Sequence, residues 1–98
     1  MTQRLSMTPE AAEELAVQAL TYIAGDSERL GRFLAVTGIG PAEIRTAARE
    51  PGFLVGVLDH LAGDERLLSD FAAQTGVDPA MIGKAIAALG GHWEREIP

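Results

Sequence analysis

Cysteine is absent from the chain. Its absence excludes disulfides and thiolate metal sites, and it fits the reducing cytoplasm in which such a sequence is expected to reside. Long apolar runs are missing too. Stretches such as FLVGVL at 53–58 fall far short of the roughly 20 residues that a membrane-spanning helix needs. The opening residues, MTQRLSM, carry one positive charge and no apolar core, so they do not read as a secretory signal. Basic residues are few: 8 Lys and Arg stand against 14 Asp and Glu, for a net charge of −6. Nucleic-acid backbones are held by a positive footprint, which this balance does not supply. Sustained apolar–polar alternation is also lacking, and no turn signal lies between β-branched runs, so no sheet is expected.

What is present is a core. Hydrophobic residues make up 47% of 98 residues, enough for one small helical domain over 1–98. A chain of this size hides only about 60–65% of its unfolded surface, so most apolar side chains must turn inward. The chain also contains an internal duplication. Shifted by 38 residues without a gap, Gly25, Asp26, Leu30, Phe33, Thr37 and Gly38 fall on Gly63, Asp64, Leu68, Phe71, Thr75 and Gly76. Further along, Pro41, Ile44 and Ala47 fall on Pro79, Ile82 and Ala85.

Helix signals follow in order. Thr8 and Pro9 open the first helix as cap and first residue. Ala12, Leu15, Ala16, Ala19, Leu20 and Ile23 recur at helical spacing on one face. Gly25 stops it and Asp26 caps a second helix that turns Leu30, Phe33 and Leu34 inward and ends at Gly38. A short third helix starts at Pro41 and buries Ile44, Ala47 and Ala48. Pro51 opens the fourth and most apolar helix, with Phe53, Leu54, Val57, Leu58 and Leu61 on one face and Val55 widening it. Gly63 and Asp64 repeat the stop-and-cap signal before a fifth helix with Leu67, Leu68 and Phe71. Asp78 and Pro79 start a sixth, which buries Ile82, Ala85, Ile86 and Leu89. The expected fold is all-α and compact: two three-helix repeats, about 15–52 and 53–90, in a pseudo-two-fold arrangement, with the fourth helix packed on the first. The ordered core spans about 8–91, with tails at 1–7 and 92–98. Three mid-helix glycines, Gly31, Gly56 and Gly83, each cost about 1 kcal/mol relative to alanine, and close helix–helix contact is the expected reason.

Four segments carry a family resemblance: the D-x-x-x-L-x-x-F-L run at 26–34, TGIGPAEIR at 37–45, PGFLVGVL at 51–58 and the D-E-x-L-L-x-x-F-A-A run at 64–73. In these the chain resembles domain-of-unknown-function family 3572, a group of roughly hundred-residue, mainly alphaproteobacterial proteins. The resemblance runs from about Pro9 to Gly91. It implies a bacterial cytosolic protein and a single domain, and it brings no activity, ligand or catalytic residue.

Chemistry must therefore be sought in the residues. The turn Gly38-Ile39-Gly40 has the glycine–hydrophobic–glycine form by which helix-hairpin-helix modules offer backbone N–H groups to a DNA phosphate, and Arg45 and Arg49 lie nearby. The second copy reads Gly76-Val77-Asp78, with a carboxylate where phosphate would approach. Read instead as helix-turn-helix, residues 71–86 present Met81, Lys84 and alanines, which lack the side chains that read base edges. Ser27 and Ser69 sit in helical contexts that account for them, with His60 and His92 the only candidate bases and no strand-to-helix elbow. His60 and Asp64, four apart, fall short of a metal ligand set. They are better explained by a favourable positive charge at the end of the fourth helix and by the cap of the fifth. No catalytic, cofactor-binding or metal site is expected, and neither is a membrane or small-molecule ligand. The leading expectation is a non-catalytic module that binds an unknown protein partner or a second copy of itself, with Trp93, outside the repeat, as a candidate anchor. The alternative is a nucleic-acid-associated protein using Gly38 and Gly40, with Arg45 and Arg49.

Overall fold

The structure, a computed structural model, describes residues 7–47 and 49–90. Six helices are present and no strand occurs among the described residues: α1 (Pro9–Ala24), α2 (Ser27–Thr37), α3 (Ile44–Ala47), α4 (Pro51–Ala62), α5 (Glu65–Thr75) and α6 (Ala80–Ala88), with a 3₁₀ turn at Pro41–Glu43 leading into α3. The chain is thus all-α, as its patterning predicts.

The start and stop signals act where they stand in the sequence. The Thr8 hydroxyl accepts the Ala11 N–H at 3.1 Å. The carboxylates of Asp26 and Asp64 each accept an N–H three residues on, from Arg29 and Leu67, both at 3.1 Å. These bonds satisfy donors that the first helical turn leaves orphaned. At the other ends, Gly38 and Gly76 take left-handed φ values of 76° and 80°, a conformation that costs a side-chain-bearing residue dearly. Each donates its N–H back into the helix, to Leu34 O and Ala72 O at 2.8 Å. The matching threonines complete both ends: the Thr37 and Thr75 hydroxyls donate to Phe33 O (2.9 Å) and Phe71 O (2.7 Å) and accept the N–H of Ile39 and Val77.

The core is a trio of helices, α1, α4 and α6, in mutual contact, with α2 laid against α1 and α5 against α4. Ala12, Ala16, Ala19 and Ile23 of α1 meet Leu54, Val57, Leu58 and Leu61 of α4 and Ile82, Ala85 and Ile86 of α6 in one buried cluster. The small residues on α1 allow its neighbours to approach. Phe33 and Phe71 are both fully buried. Phe71 meets the edge of Tyr22 at a centroid distance of 5.3 Å, and Phe33 meets His60 at 5.1 Å. Residues 22 and 60 are themselves 38 apart, so the two ring pairs are exchanged between the duplicated segments.

Three expectations are corrected. The third helix is one α-helical turn preceded by a 3₁₀ turn, and Ile44 and Ala47 are only half-buried; Ala48 lies outside the described residues. Its cause is legible in the duplication. Where α6 carries Met81, Gly83, Ala87 and Ala88, the earlier segment has Glu43, Arg45, Arg49 and Glu50, and where α6 ends in Leu89 it has Pro51. The inner positions stay apolar but shrink, with Ala48 where α6 has Ile86; charges take positions that are exposed or half-buried in α6, and proline pushes Glu50 into extended backbone (φ −97°, ψ 132°). The glycines Gly31, Gly56 and Gly83 do not mark close helix contacts, because a Cβ on any of them would meet nothing within 4 Å. Finally, Leu30, Leu34, Phe53, Leu67, Leu68 and Leu89 pack against the core but stay half-buried, while Tyr22, not read as core, is buried.

Candidate functional site

The shortness of α3 shapes the surface around it. Ile44 stands apart from the buried cluster and faces Leu20 and Ala24 of α1 and Leu30 and Leu34 of α2 across an open apolar groove of about 510 Å³. On the other side of α3 lies a second groove of about 500 Å³, bounded by Ile39, Ala47 and Phe53, with Glu43, Thr46 and Glu50 among its walls. The duplicated positions show how unusual this is. Leu58 and Ile82, the counterparts of Leu20 and Ile44, are buried to 0% and 1% exposure within the α1–α4–α6 core, whereas Leu20 and Ile44 are only half-buried. Chemically alike side chains line an open groove in one case and a closed core in the other.

The 38–41 turn adjoins this face. Its three candidate phosphate donors are engaged within the chain: Gly38 N–H on Leu34 O at 2.8 Å, Ile39 N–H on the Thr37 hydroxyl at 3.4 Å, and Gly40 N–H on the Glu43 carboxylate at 3.3 Å. The last contact puts a negative group of the protein's own where an incoming phosphate would need to sit, and like charges there repel. Arg45 and Arg49 are exposed, on the same short segment as Glu43 and Glu50. Of the sequence-nominated residues, then, Gly38, Gly40, Arg45 and Arg49 are gathered around α3. Trp93 lies outside the described residues.

Two polar clusters sit elsewhere. Arg29 stacks its guanidinium 4.0 Å above the Tyr22 ring and donates from Nε and Nη2 to Tyr22 O at 3.2 and 2.8 Å. The Tyr22 hydroxyl donates to the Asp70 carboxylate, which also accepts from Gln74 at 3.0 Å. Arg29 approaches Asp70 at 3.9 Å, across partly exposed ground where such pairs contribute little. Burial, with the Asp70 hydrogen bond added to it, raises the Tyr22 pKa to about 12. This cluster ties α1, α2 and α5 together, and its bonds are spent on one another. Sequence reading missed it because residues 22, 29 and 70 share no local motif.

His60 is the second. Partial burial against Phe33 lowers its pKa; Asp64 pulls the other way and Arg32 reinforces the lowering. The environment therefore favours the neutral ring, contrary to the expectation of a favourable positive charge at the end of α4. Asp64 serves as the cap of α5, and no group of three or more His, Cys, Asp or Glu side chains that could hold a metal occurs among the described residues. No described helix is long and apolar enough to cross a membrane.

A family profile matches residues 9–92, that of the protein family of unknown function DUF3572, and the chain belongs to that family. No curated protein and no solved structure matches it.

Proposed function

We propose that this DUF3572 protein is a non-catalytic interaction module that works in the bacterial cytoplasm by binding another protein through the face built on α3. The observation that carries the reading is the pair Ile44 and Ile82: one lines an open apolar groove between α1 and α2, the other is sealed in the core. Apolar surface left open on a small domain is stabilised when a partner covers it. Two three-helix units, about 15–52 and 53–90, stand in pseudo-two-fold relation, supported by the matched caps at Asp26 and Asp64 and by the exchanged ring pairs Tyr22–Phe71 and His60–Phe33. In the second unit the third helix closes the core; in the first it is cut short, and the groove is the consequence.

A photo-crosslinking side chain placed at Ile39 or Ile44, compared with one at Glu10 on the far end of α1, tests the reading in cells. Saturable crosslinks to protein from positions 39 and 44, and not from 10, are expected. Crosslinks to nucleic acid from those positions, lost in Gly40→Asp, would instead favour phosphate binding by the 38–41 turn. The engaged amides and the Glu43 carboxylate make that the weaker reading.

A further inference from the structure

We propose that the partner is a second copy of this chain, docked face to face across α3; this rests on the reading of that face as an interaction surface. Charge distribution singles out the occupant. Outside α3 and its flanks, acidic residues outnumber basic ones ten to four among the described residues, so two copies meeting through most of their surface would bring like charge against like. The segment that carries α3 is balanced, with Glu43 and Glu50, which wall the second groove, against Arg45 and Arg49 beside it, all four exposed. Away from its axis a two-fold interface sets residue i against j and j against i, so a patch holding both signs can be its own complement, as a single-signed patch cannot. Apolar material flanks these charges on both sides, with Leu30, Leu34 and Ile44 in one groove and Ile39, Ala47 and Phe53 in the other. The segment in which α3 is short relative to α6 is thus the segment that carries charges of both signs.

The test is sedimentation of the full chain over a concentration series, with two charge-reversed variants, Arg45→Glu/Arg49→Glu and Glu43→Arg/Glu50→Arg. The wild-type chain is expected to dimerise reversibly. Each variant alone should weaken dimerisation at least tenfold, and an equimolar mixture of the two should associate again, because four acidic groups then face four basic ones. Because Glu43 also holds the Gly40 amide, Glu50→Arg with Glu43 intact is the control variant, and helicity by circular dichroism confirms that each chain is folded. A wild-type chain that stays monomeric to millimolar concentration overturns the proposal, as does a dimer that all variants form equally well. In the monomer case, crosslinks from position 44 to a different protein would preserve the interaction reading and remove only the second copy. Absence of such crosslinks would remove both.

Discussion

Ile44 and Ile82 each follow a proline by three residues, stand 38 positions apart and carry the same side chain. Ile82 is in the core, where α6 meets α1 and α4; Ile44 is half-buried at the edge of a groove. What separates them is their neighbours. Ile82 belongs to a helix whose next turn supplies Ala85 and Ile86, so the three are buried together, with Leu89 packed at the edge. The matching positions after Ile44 hold only Ala47 and Ala48 and then Pro51, with Arg45, Arg49 and Glu50 between them, and its helix ends within one turn. A side chain's fate is set by the face it can recruit, because one isoleucine cannot offset the ordering of a helix by itself.

The largest expected effects lie where the two copies agree. Phe33→Ala and Phe71→Ala should each destabilise the protein by about 3–5 kcal/mol, since both rings are fully buried at the same helical position. Matched urea midpoint shifts would support the correspondence. A small shift for either would break it.

Residues 22 and 60 sharpen the comparison through pH. Tyr22 holds its proton more tightly in the fold, with its pKa raised from 10 to about 12. Above pH 10 the unfolded chain sheds that proton while the native chain keeps it, so stability present below pH 10 is lost as pH rises toward 12. His60 runs the other way. Its native pKa lies below the ordinary 6.5, so the stability it contributes is present above pH 6.5 and is lost as pH falls through the depressed value. Thermal midpoints across pH 4–11 should therefore fall at both ends. Tyr22→Phe should flatten the alkaline limb and His60→Gln the acid limb.

The caps should respond in parallel. Asp26→Ala and Asp64→Ala each remove one carboxylate-to-amide bond of equal length and should each cost about 1 kcal/mol. Unequal losses in denaturant titrations would show that the second and fifth helices depend on their caps to different degrees.

Most of the helical plan could be read from the chain, because caps, prolines and glycines are local signals: Thr8, Asp26, Gly38, Asp64 and Gly76 all act where they stand. The candidate face could not be read in full. Leu20, Leu30, Leu34 and Ile44 have the spacing of core residues, and only the absence of a helix over them makes them a groove. That absence was visible in principle, as charges and a proline at the positions corresponding to Met81, Gly83, Ala87, Ala88 and Leu89. The Tyr22–Arg29–Asp70 cluster had no such signal, since it joins three helices through a tertiary contact.

The smallest effect concerns the glycines. With nothing within 4 Å of a Cβ at Gly31, Gly56 or Gly83, alanine at each should raise stability by about 0.4–1 kcal/mol through higher helix propensity and a less disordered unfolded chain. A loss at any of them, read from the thermal midpoint, would mean that its backbone is approached by something the isolated fold does not contain.

The central claim, that equivalent isoleucines line an open groove in one copy and the core in the other, is tested most directly by measuring the unfolding free energies of Ile44→Ala and Ile82→Ala side by side. A loss of about 2–5 kcal/mol is expected for Ile82→Ala and less than about 1 kcal/mol for Ile44→Ala at concentrations where the chain is monomeric. Equal losses would contradict it, because they would place Ile44 in a closed core as well.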